Sequence, residues 1–248
     1  MPNERLRDSL LQRGLDLDEV ARATSVDPKT VERWITQGRT PYARHRRVIA
    51  NLVRESENYL WPNAVAANRK AEISGSEVVK LYPHRHSVSN DLWGRLIDNA
   101  QSHIEILLYS GMFLTDDPGL IKQLRDKADS GAKVRIILGD PASREVARRS
   151  EEEGIGKGTL AAKVRNALAF YRPLSNHPGI QIKCHSTTLY NSIYRFDDEM
   201  LVNTHVYGFM AGHAPLMHLR RLSGGDLFET YSESFESVWQ TAKNPKWG

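Results

Sequence analysis

The feature that most constrains the fold is a change of phase in the apolar pattern between residues 17 and 35. Apolar side chains recur at helical spacing before and after Thr24-Ser25, but they do not form one continuous stripe across it. The apolar positions are Leu17, Val20, Ala21, Val26, Val31, Trp34 and Ile35. Asp27 is a favourable N-cap and Pro28 a favourable first helical residue. The pattern therefore predicts two short helices joined by a tight turn.

The second of these helices has a polar side, which is formed by Lys29, Thr30, Glu32 and Arg33. Two short helices with such an exposed face are the layout of a DNA-reading helix-turn-helix. A helical hairpin with no role in DNA binding has the same spacing, so the spacing alone leaves both interpretations open.

Segment 1–62 resembles the N-terminal domain of the phage-repressor-like (XRE-type) transcriptional regulators. The matching residues are Ala21, Val26, Val31 and Trp34. Ser25 occupies the turn position that is usually glycine in this family, and a left-handed backbone at Ser25 would carry a modest cost. The resemblance implies that the four polar side chains of the second helix face base edges in the major groove.

Positive charge is concentrated in this same part of the chain. Residues 1–70 contain 13 Lys or Arg and 9 Asp or Glu, whereas residues 71–248 contain 21 of each. Six arginines occur between positions 33 and 54 with no acidic residue among them. Neutralisation of phosphates by clustered cations supplies most non-specific DNA affinity, although most charge runs are only solvated faces. We therefore predict phosphate contacts from Arg39, Arg44, Arg46 and Arg47.

Length and composition limit the class of protein. A chain of 248 residues is long enough for one or two domains with a substantial core. The single cysteine, Cys184, excludes an internal disulfide framework and indicates a reducing cytoplasm. The N-terminus is charged, so no signal peptide is expected, and the longest apolar runs are too short to span a bilayer.

Three parts follow one another along the chain: a helix-turn-helix domain at 1–62, a linker at 63–77 that includes a helical stretch at 64–71, and a domain at 78–248. The pattern predicts strands at 78–82, 102–109, 133–138, 180–184, 191–196 and 199–204. It predicts helices at 90–100, 118–130, 145–171 with a break at 154–158, and 231–239. Buried strands that alternate with helices indicate an α/β layer with a mainly parallel sheet. The fold class is therefore α+β multi-domain, an all-α bundle followed by an α/β domain.

This order of elements, with Phe235 and Trp239 on the last helix, resembles one half of the phospholipase D-like fold. Active members of that family carry a His-x-Lys-x4-Asp motif. Its histidine is the nucleophile, its lysine binds phosphate and its acid orients the histidine. Two copies of the motif face each other, either in one chain or across a homodimer.

The motif is degenerate in this chain. With Asp198 as the acid, Asn191 and Ile193 occupy the histidine and lysine positions. With Asp197 as the acid, those positions fall on Tyr190 and Ser192. An amide cannot form the phosphoramidate that imidazole forms, because its nitrogen lone pair is delocalised. We therefore predict no catalytic residue and no cofactor.

A retained ligand pocket is the remaining prediction for this region. Its candidate residues are Asn191, Tyr194, Arg195, Asp197, Asp198, Asn203 and His205. Alternate residues of a strand point to opposite faces, so about half of these side chains are expected only to pack or to be hydrated.

Histidines near residues 84–86 and 213–218 suggest a metal site, but zinc sites need three or four closely spaced ligands, and Cys184 has no partner. We predict surface histidines and no metal.

The function expected from these features is a bacterial-type transcriptional regulator that binds double-stranded DNA as a homodimer. The C-terminal domain is expected to mediate dimerisation, and a small-molecule effector or a partner protein would act on it. No membrane contact is expected. The alternative is a DNA-targeted nuclease or phosphodiesterase of the phospholipase D-like class. That alternative predicts metal-independent hydrolysis that is lost on His205→Ala or His185→Ala.

Overall fold

The computed structural model of the chain describes residues 2–64 and 73–247. The chain forms two compact units, Met1–Glu77 with Arg221–Glu229, and Val78–Arg220 with Thr230–Gly248. Arg221–Glu229 falls within the predicted C-terminal domain but groups with the N-terminal residues, since the Leu227 amide donates to Glu77 Oε2 at 2.8 Å.

Part of the predicted linker at 63–77 is described. Residues 65–72, and with them nearly all of the helical stretch predicted at 64–71, lie outside the described residues. Residues 73–76 are helical, and the Ser74 hydroxyl accepts a hydrogen bond from the Asp226 amide at 2.9 Å. This end of the predicted linker is therefore integrated into the N-terminal unit.

Helices make up the described part of residues 1–64. They are α1 (Glu4–Arg13), α2 (Leu17–Thr24), α3 (Pro28–Thr36), α4 (Ala43–Val53) and α5 (Glu57–Leu60). α2 begins with a capping box, in which Asp16 and Glu19 each accept the backbone amide of the other. α3 begins as predicted, with the Asp27 carboxylate accepting the Lys29 amide at 2.8 Å. The core is formed by Leu6, Leu10, Val20, Ala21, Val31, Trp34, Ile35, Ile49, Ala50, Val53, Leu60 and Trp61.

One seven-stranded sheet organises the C-terminal unit. Its strands are β1 (Val78–Tyr82), β2 (His103–Leu107), β3 (Lys133–Gly139), β4 (Ile180–His185), β5 (Asn191–Phe196), β6 (Glu199–Thr204) and β7 (Leu216–Arg220). They are ordered β1-β7-β6-β5-β2-β3-β4. The fold is thus mixed, with a helical unit and an α/β unit, as the sequence predicts.

The prediction of a mainly parallel sheet is wrong. Only β2–β3 and β3–β4 pair in parallel, whereas β2–β5, β5–β6, β6–β7 and β1–β7 pair antiparallel. Helical crossovers connect the strands of the parallel half, whereas the tight turn at Asp197-Asp198 makes β5 and β6 a hairpin. β7 was not predicted, and it contains His218, which is buried rather than part of a surface histidine loop.

The remaining helices are α6 (Asn90–Asn99), α7 (Met112–Thr115), α8 (Leu120–Asp129), α9 (Arg144–Glu152), α10 (Thr159–Tyr171) and α11 (Leu227–Thr241). The predicted helix break at 154–158 is confirmed, because Gly154, Gly156 and Gly158 all adopt positive φ between α9 and α10.

Strand parity divides β5 between the two faces of the sheet. On one face Tyr194 packs edge-on against Trp93 of α6, with ring centroids 5.0 Å apart. On the other face Arg195 donates to Glu105 of β2 at 3.1 Å and to Ser232 of α11 at 3.2 Å. Because alternate residues share a face, Ser192 and Tyr194 point away from α11 together.

Candidate nucleic-acid interface and C-terminal pocket

A left-handed residue makes the turn between α2 and α3. Ser25 has φ 54° and ψ 46°, and the Val26 amide donates to the Ala21 carbonyl at 3.0 Å. This is the left-handed C-cap geometry, and the residue that adopts it is usually glycine. The sequence places a non-glycine residue at this position, and the chain nevertheless forms the tight turn between the helices.

Helix α3, which follows this turn, is amphipathic. Val31, Trp34 and Ile35 are buried in the core of the N-terminal unit. Lys29, Glu32 and Arg33 are exposed on the opposite side, and Thr30 is half-buried. The helix is thus fixed by its apolar side and presents two cations and a carboxylate to solvent.

The basic residues that follow α3 divide into two groups. Arg39, Arg44 and Arg47 are exposed. Arg46 is mostly buried, because its guanidinium donates to Glu57 Oε2 at 3.0 Å and to the Pro41 carbonyl at 2.8 Å. The arginine run in the sequence gives no sign of this difference, since Glu57 lies just beyond it. Arg46 therefore stabilises the fold, and it is less accessible to a phosphate than the other arginines predicted as phosphate contacts.

An aromatic residue outside the predicted interface lies beside this basic group. Tyr42 immediately precedes α4, and its side chain is 79% exposed. In the sequence, only its position between Arg39 and Arg44 indicates that Tyr42 could belong to the interface.

A cavity of about 160 Å³ lies in the C-terminal unit, where β5 and the end of β6 meet α7 and α10. Ser192 and Tyr194 of β5 line it, together with His205 just after β6. Although they line this cavity, Ser192 and Tyr194 are almost fully buried. Of the seven residues predicted for a pocket, the structure brings only Tyr194 and His205 to this cavity.

The tautomer of His205 follows from its partners. Its Nδ1 lies 3.2 Å from the Leu189 carbonyl, which can only accept, so Nδ1 carries the proton. Its Nε2 then accepts from the Ser192 hydroxyl at 2.9 Å. Burial, together with the nearby charge of Arg149, lowers the pKa of His205 to about 4. His205 is therefore neutral at physiological pH, with both nitrogens hydrogen-bonded.

His185 is fixed in a similar way. Its Nε2 donates to the Leu108 carbonyl at 3.3 Å, and its Nδ1 accepts the Thr187 amide at 3.2 Å. Burial lowers the pKa of His185 to about 4. The ring of Tyr109 contacts both imidazoles, with centroid distances of 5.4 Å to His185 and 5.6 Å to His205.

Two cations line the same cavity, and neither was predicted from the sequence. The Arg85 guanidinium lies over the ring of Phe113 at 3.8 Å and is hydrogen-bonded to the Tyr194 hydroxyl. Lys163 reaches the cavity from α10. They come from segments about 80 residues apart with no shared motif, so only the folded sheet brings them together.

The other predicted pocket residues lie elsewhere. Asn191 and Arg195 have the opposite strand parity to Tyr194, which places Arg195 against Glu105. The Asp197 carboxylate accepts the amides of Gln101, Ser102 and His103 at 2.7–2.9 Å and so anchors the start of β2. Asp198 lies in the turn, and Asn203 is buried, donating to the Pro215 carbonyl at 3.0 Å.

Residues 75–245 match the model of a family described as a domain of unknown function, DUF5919. The chain belongs to this family. The DUF5919 region contains the whole cavity and all seven strands. No curated protein matches the chain.

Two solved structures are similar in part to this DUF5919 member. One is TrmBL2, an archaeal chromatin protein reported to show a novel mode of DNA binding, at 13% identity and a TM-score of 0.42, covering 84% of this chain and 72% of that chain. The other is a phospholipase D family member, Nuc from Salmonella typhimurium, at 15% identity and a TM-score of 0.39, covering 67% of this chain and 95% of that chain. None of the helices in the described residues has the length and apolarity needed to cross a membrane.

Proposed function

We propose that this protein is a DNA-binding transcriptional regulator of the XRE type, acting as a homodimer. The observation that carries the proposal is the geometry of α3, which is buried through Trp34 and exposes Lys29, Glu32 and Arg33 after a tight turn. In helix-turn-helix readers, the second helix enters the major groove and its exposed side chains contact base edges. Dimers of such readers bind two half-sites one helical turn apart.

Charge supports the same proposal. The whole formal excess of +4 lies within residues 1–70. With Arg46 held by Glu57, the exposed cations that remain for phosphates are Arg39, Arg44 and Arg47, beside Tyr42. Arg47 Nε also lies 3.9 Å from Glu57 Oε1, but its side chain is 70% exposed. Arg33 on α3 is suited to bidentate contact with a guanine edge. The proposed interface thus separates base-reading residues from phosphate-binding residues.

Two variants test this division on duplexes selected from a random-sequence pool. Arg33→Ala is expected to weaken binding to the selected sequence by about 1–3 kcal/mol, since it removes a base contact. The triple variant Arg39→Ala, Arg44→Ala, Arg47→Ala is expected to reduce the slope of log affinity against log salt by about 0.9 for each phosphate that the protein no longer neutralises. Fluorescence anisotropy at several salt concentrations measures both effects, and the titration end point is expected at two chains per duplex.

The controls change charge without touching the proposed interface. Arg46→Met removes a cation that is bonded to Glu57, so it is expected to lower thermal stability and keep the salt slope of the parent. Arg165→Ala makes the same change of charge on α10 and is expected to bind DNA like the parent. If Arg33→Ala and the triple variant both bound like the parent, the proposal would be wrong.

We also propose that the C-terminal unit senses a ligand and does not hydrolyse phosphodiesters. Both nitrogens of His185 and of His205 are hydrogen-bonded, so neither imidazole has a free lone pair facing the cavity. Ile193, at the lysine position of one motif register, is fully buried. The motif positions therefore supply neither the histidine nucleophile nor the phosphate-binding lysine of the phospholipase D-like motif.

The purified full chain is expected to release no p-nitrophenolate from bis(p-nitrophenyl) phosphate in the presence of a chelator. His205→Ala and Ser192→Ala are the matched blanks, because they alter the hydrogen bond at the cavity wall. Turnover by the parent that is absent from both variants would contradict the sensing proposal and favour the nuclease alternative.

A further inference from the structure

The cavity of the C-terminal unit has an unbalanced charge. Its one carboxylate, Glu153, accepts from the guanidinium of Arg149 at 2.9 Å and is therefore neutralised. Arg85 and Lys163 line the same cavity, and neither has a carboxylate partner among the described residues. A partly buried cation is stabilised when an anion pairs with it. The cavity is thus suited to an anionic ligand.

The Arg85 guanidinium is held in place at this cavity by its neighbours. The Arg85 backbone amide is held by the Ala214 carbonyl at 3.0 Å, which fixes the segment that carries the guanidinium. The Tyr194 hydroxyl contacts both Arg85 and Ser192. A planar guanidinium can donate two parallel hydrogen bonds to a carboxylate, and such charge-assisted pairs are stronger than neutral ones.

Apolar side chains also line the cavity, and one of them, Phe113, contacts the Arg85 guanidinium directly. They are Leu108, Met112, Phe113, Leu160 and Met210. Phe113 belongs to an aromatic cluster with Trp93 and Tyr194, so its ring is held in place. A volume of about 160 Å³ is close to that of an engineered protein cavity that binds benzene, about 150 Å³. The cavity therefore has room for one ring, and because it is partly open to solvent, an anionic group on that ring can extend beyond this volume.

We propose that the cavity binds a small aromatic carboxylate with a single ring. The carboxylate lies against Arg85 and Lys163, and the ring lies against Phe113 and Met210. This inference deepens the proposed sensing role of the C-terminal unit and does not depend on DNA binding. An inorganic phosphate would satisfy the cations but leave the apolar side chains of the cavity without a partner.

Isothermal titration calorimetry of the full chain tests this proposal with benzoate as the probe and benzamide as its neutral isostere. Benzoate is expected to bind at least about ten-fold more tightly than benzamide, the ratio that about 1.4 kcal/mol of charge-assisted bonding gives. Cyclohexanecarboxylate tests the preference for an aromatic ring, and inorganic phosphate tests whether the anion alone is sufficient.

Substitutions locate the site. Arg85→Met and Lys163→Met are each expected to weaken benzoate binding by about ten-fold, whereas Arg165→Met on the same helix as Lys163 is expected to leave it unchanged. Arg85→Lys keeps the charge but not the planar fork, so its intermediate affinity would show a bidentate contact even if Arg85→Met failed to fold.

Three results would overturn the proposal: equal affinity for benzoate and benzamide, binding of phosphate without binding of benzoate, or no heat with benzoate at millimolar concentration. None of these results affects the DNA measurements above. The last of them, together with intact DNA binding, would favour a partner protein as the effector of the C-terminal unit.

Discussion

The C-terminal unit is expected to lose several kcal/mol of stability as the pH falls from about 6.5 to about 4. Burial lowers the pKa of His185 and of His205 to about 4, whereas an unfolded histidine titrates near 6.5. Between these pH values the unfolded chain binds protons that the folded chain excludes. The free energy of unfolding therefore decreases as the pH is lowered. Above 6.5 both imidazoles are neutral in both states, and their contribution is constant.

The size of the effect follows from the two shifts. One pKa unit corresponds to about 1.4 kcal/mol, so lowering the pKa from about 6.5 to about 4 makes each imidazole contribute about 3 kcal/mol across this window. Burial also lowers the pKa of His103 and of His218, which adds to the destabilisation in the same direction. Urea unfolding of the full chain between pH 4 and pH 8 measures the slope.

Two glutamine substitutions separate the contributions. A glutamine amide can both donate and accept, as each imidazole does, but it does not titrate. His185→Gln and His205→Gln are each expected to reduce the slope by about one proton, and the double variant by about two. If the double variant kept the full slope of the parent, these two histidines would not be the cause of the acid sensitivity.

The sequence was sufficient wherever neighbouring residues decide the structure. The Asp27-Pro28 start of α3 and the glycine break before α10 depend on capping and on backbone freedom within a few residues. The buried and exposed sides of α3 follow from helical periodicity alone. These predictions are confirmed because no distant interaction competes with the local preference.

The cavity could not be predicted in the same way, because it depends on pairing and parity. The sequence placed β5 correctly but could not tell which of its faces meets α7 and α10. Ser192 and Tyr194 therefore line the cavity, whereas their neighbours Asn191 and Arg195 do not. The strand β7 was missed, and with it the hydrogen bond of 2.6 Å between His218 and Glu199. Such interactions link residues that no local pattern relates.

A buried ion-pair network lies on the other face of the sheet, and its loss is expected to lower the free energy of unfolding strongly. Glu105 is 1% exposed and accepts from Arg135 at 3.1 Å and from Arg195 at 3.1 Å. Burial alone would raise the pKa of Glu105, but the two guanidinium groups outweigh it and lower the pKa. Arg135 also pairs with Glu236 and lies 5.0 Å from the ring of Trp239, so the network joins the sheet to α11.

Glu105→Gln is expected to cost about 3–5 kcal/mol of unfolding free energy, because it leaves two mostly buried guanidinium groups without their shared carboxylate. Glu236→Gln is the matched control, since that side chain is 43% exposed and surface ion pairs contribute about 0–1 kcal/mol. Guanidinium chloride unfolding at pH 7.5 compares the two variants.

Replacing Glu105 by leucine and both arginines by methionine is expected to recover much of the stability, because a buried ionic cluster often has an apolar equivalent of similar stability. Equal effects of Glu105→Gln and Glu236→Gln would show that burial of the carboxylate does not determine its contribution.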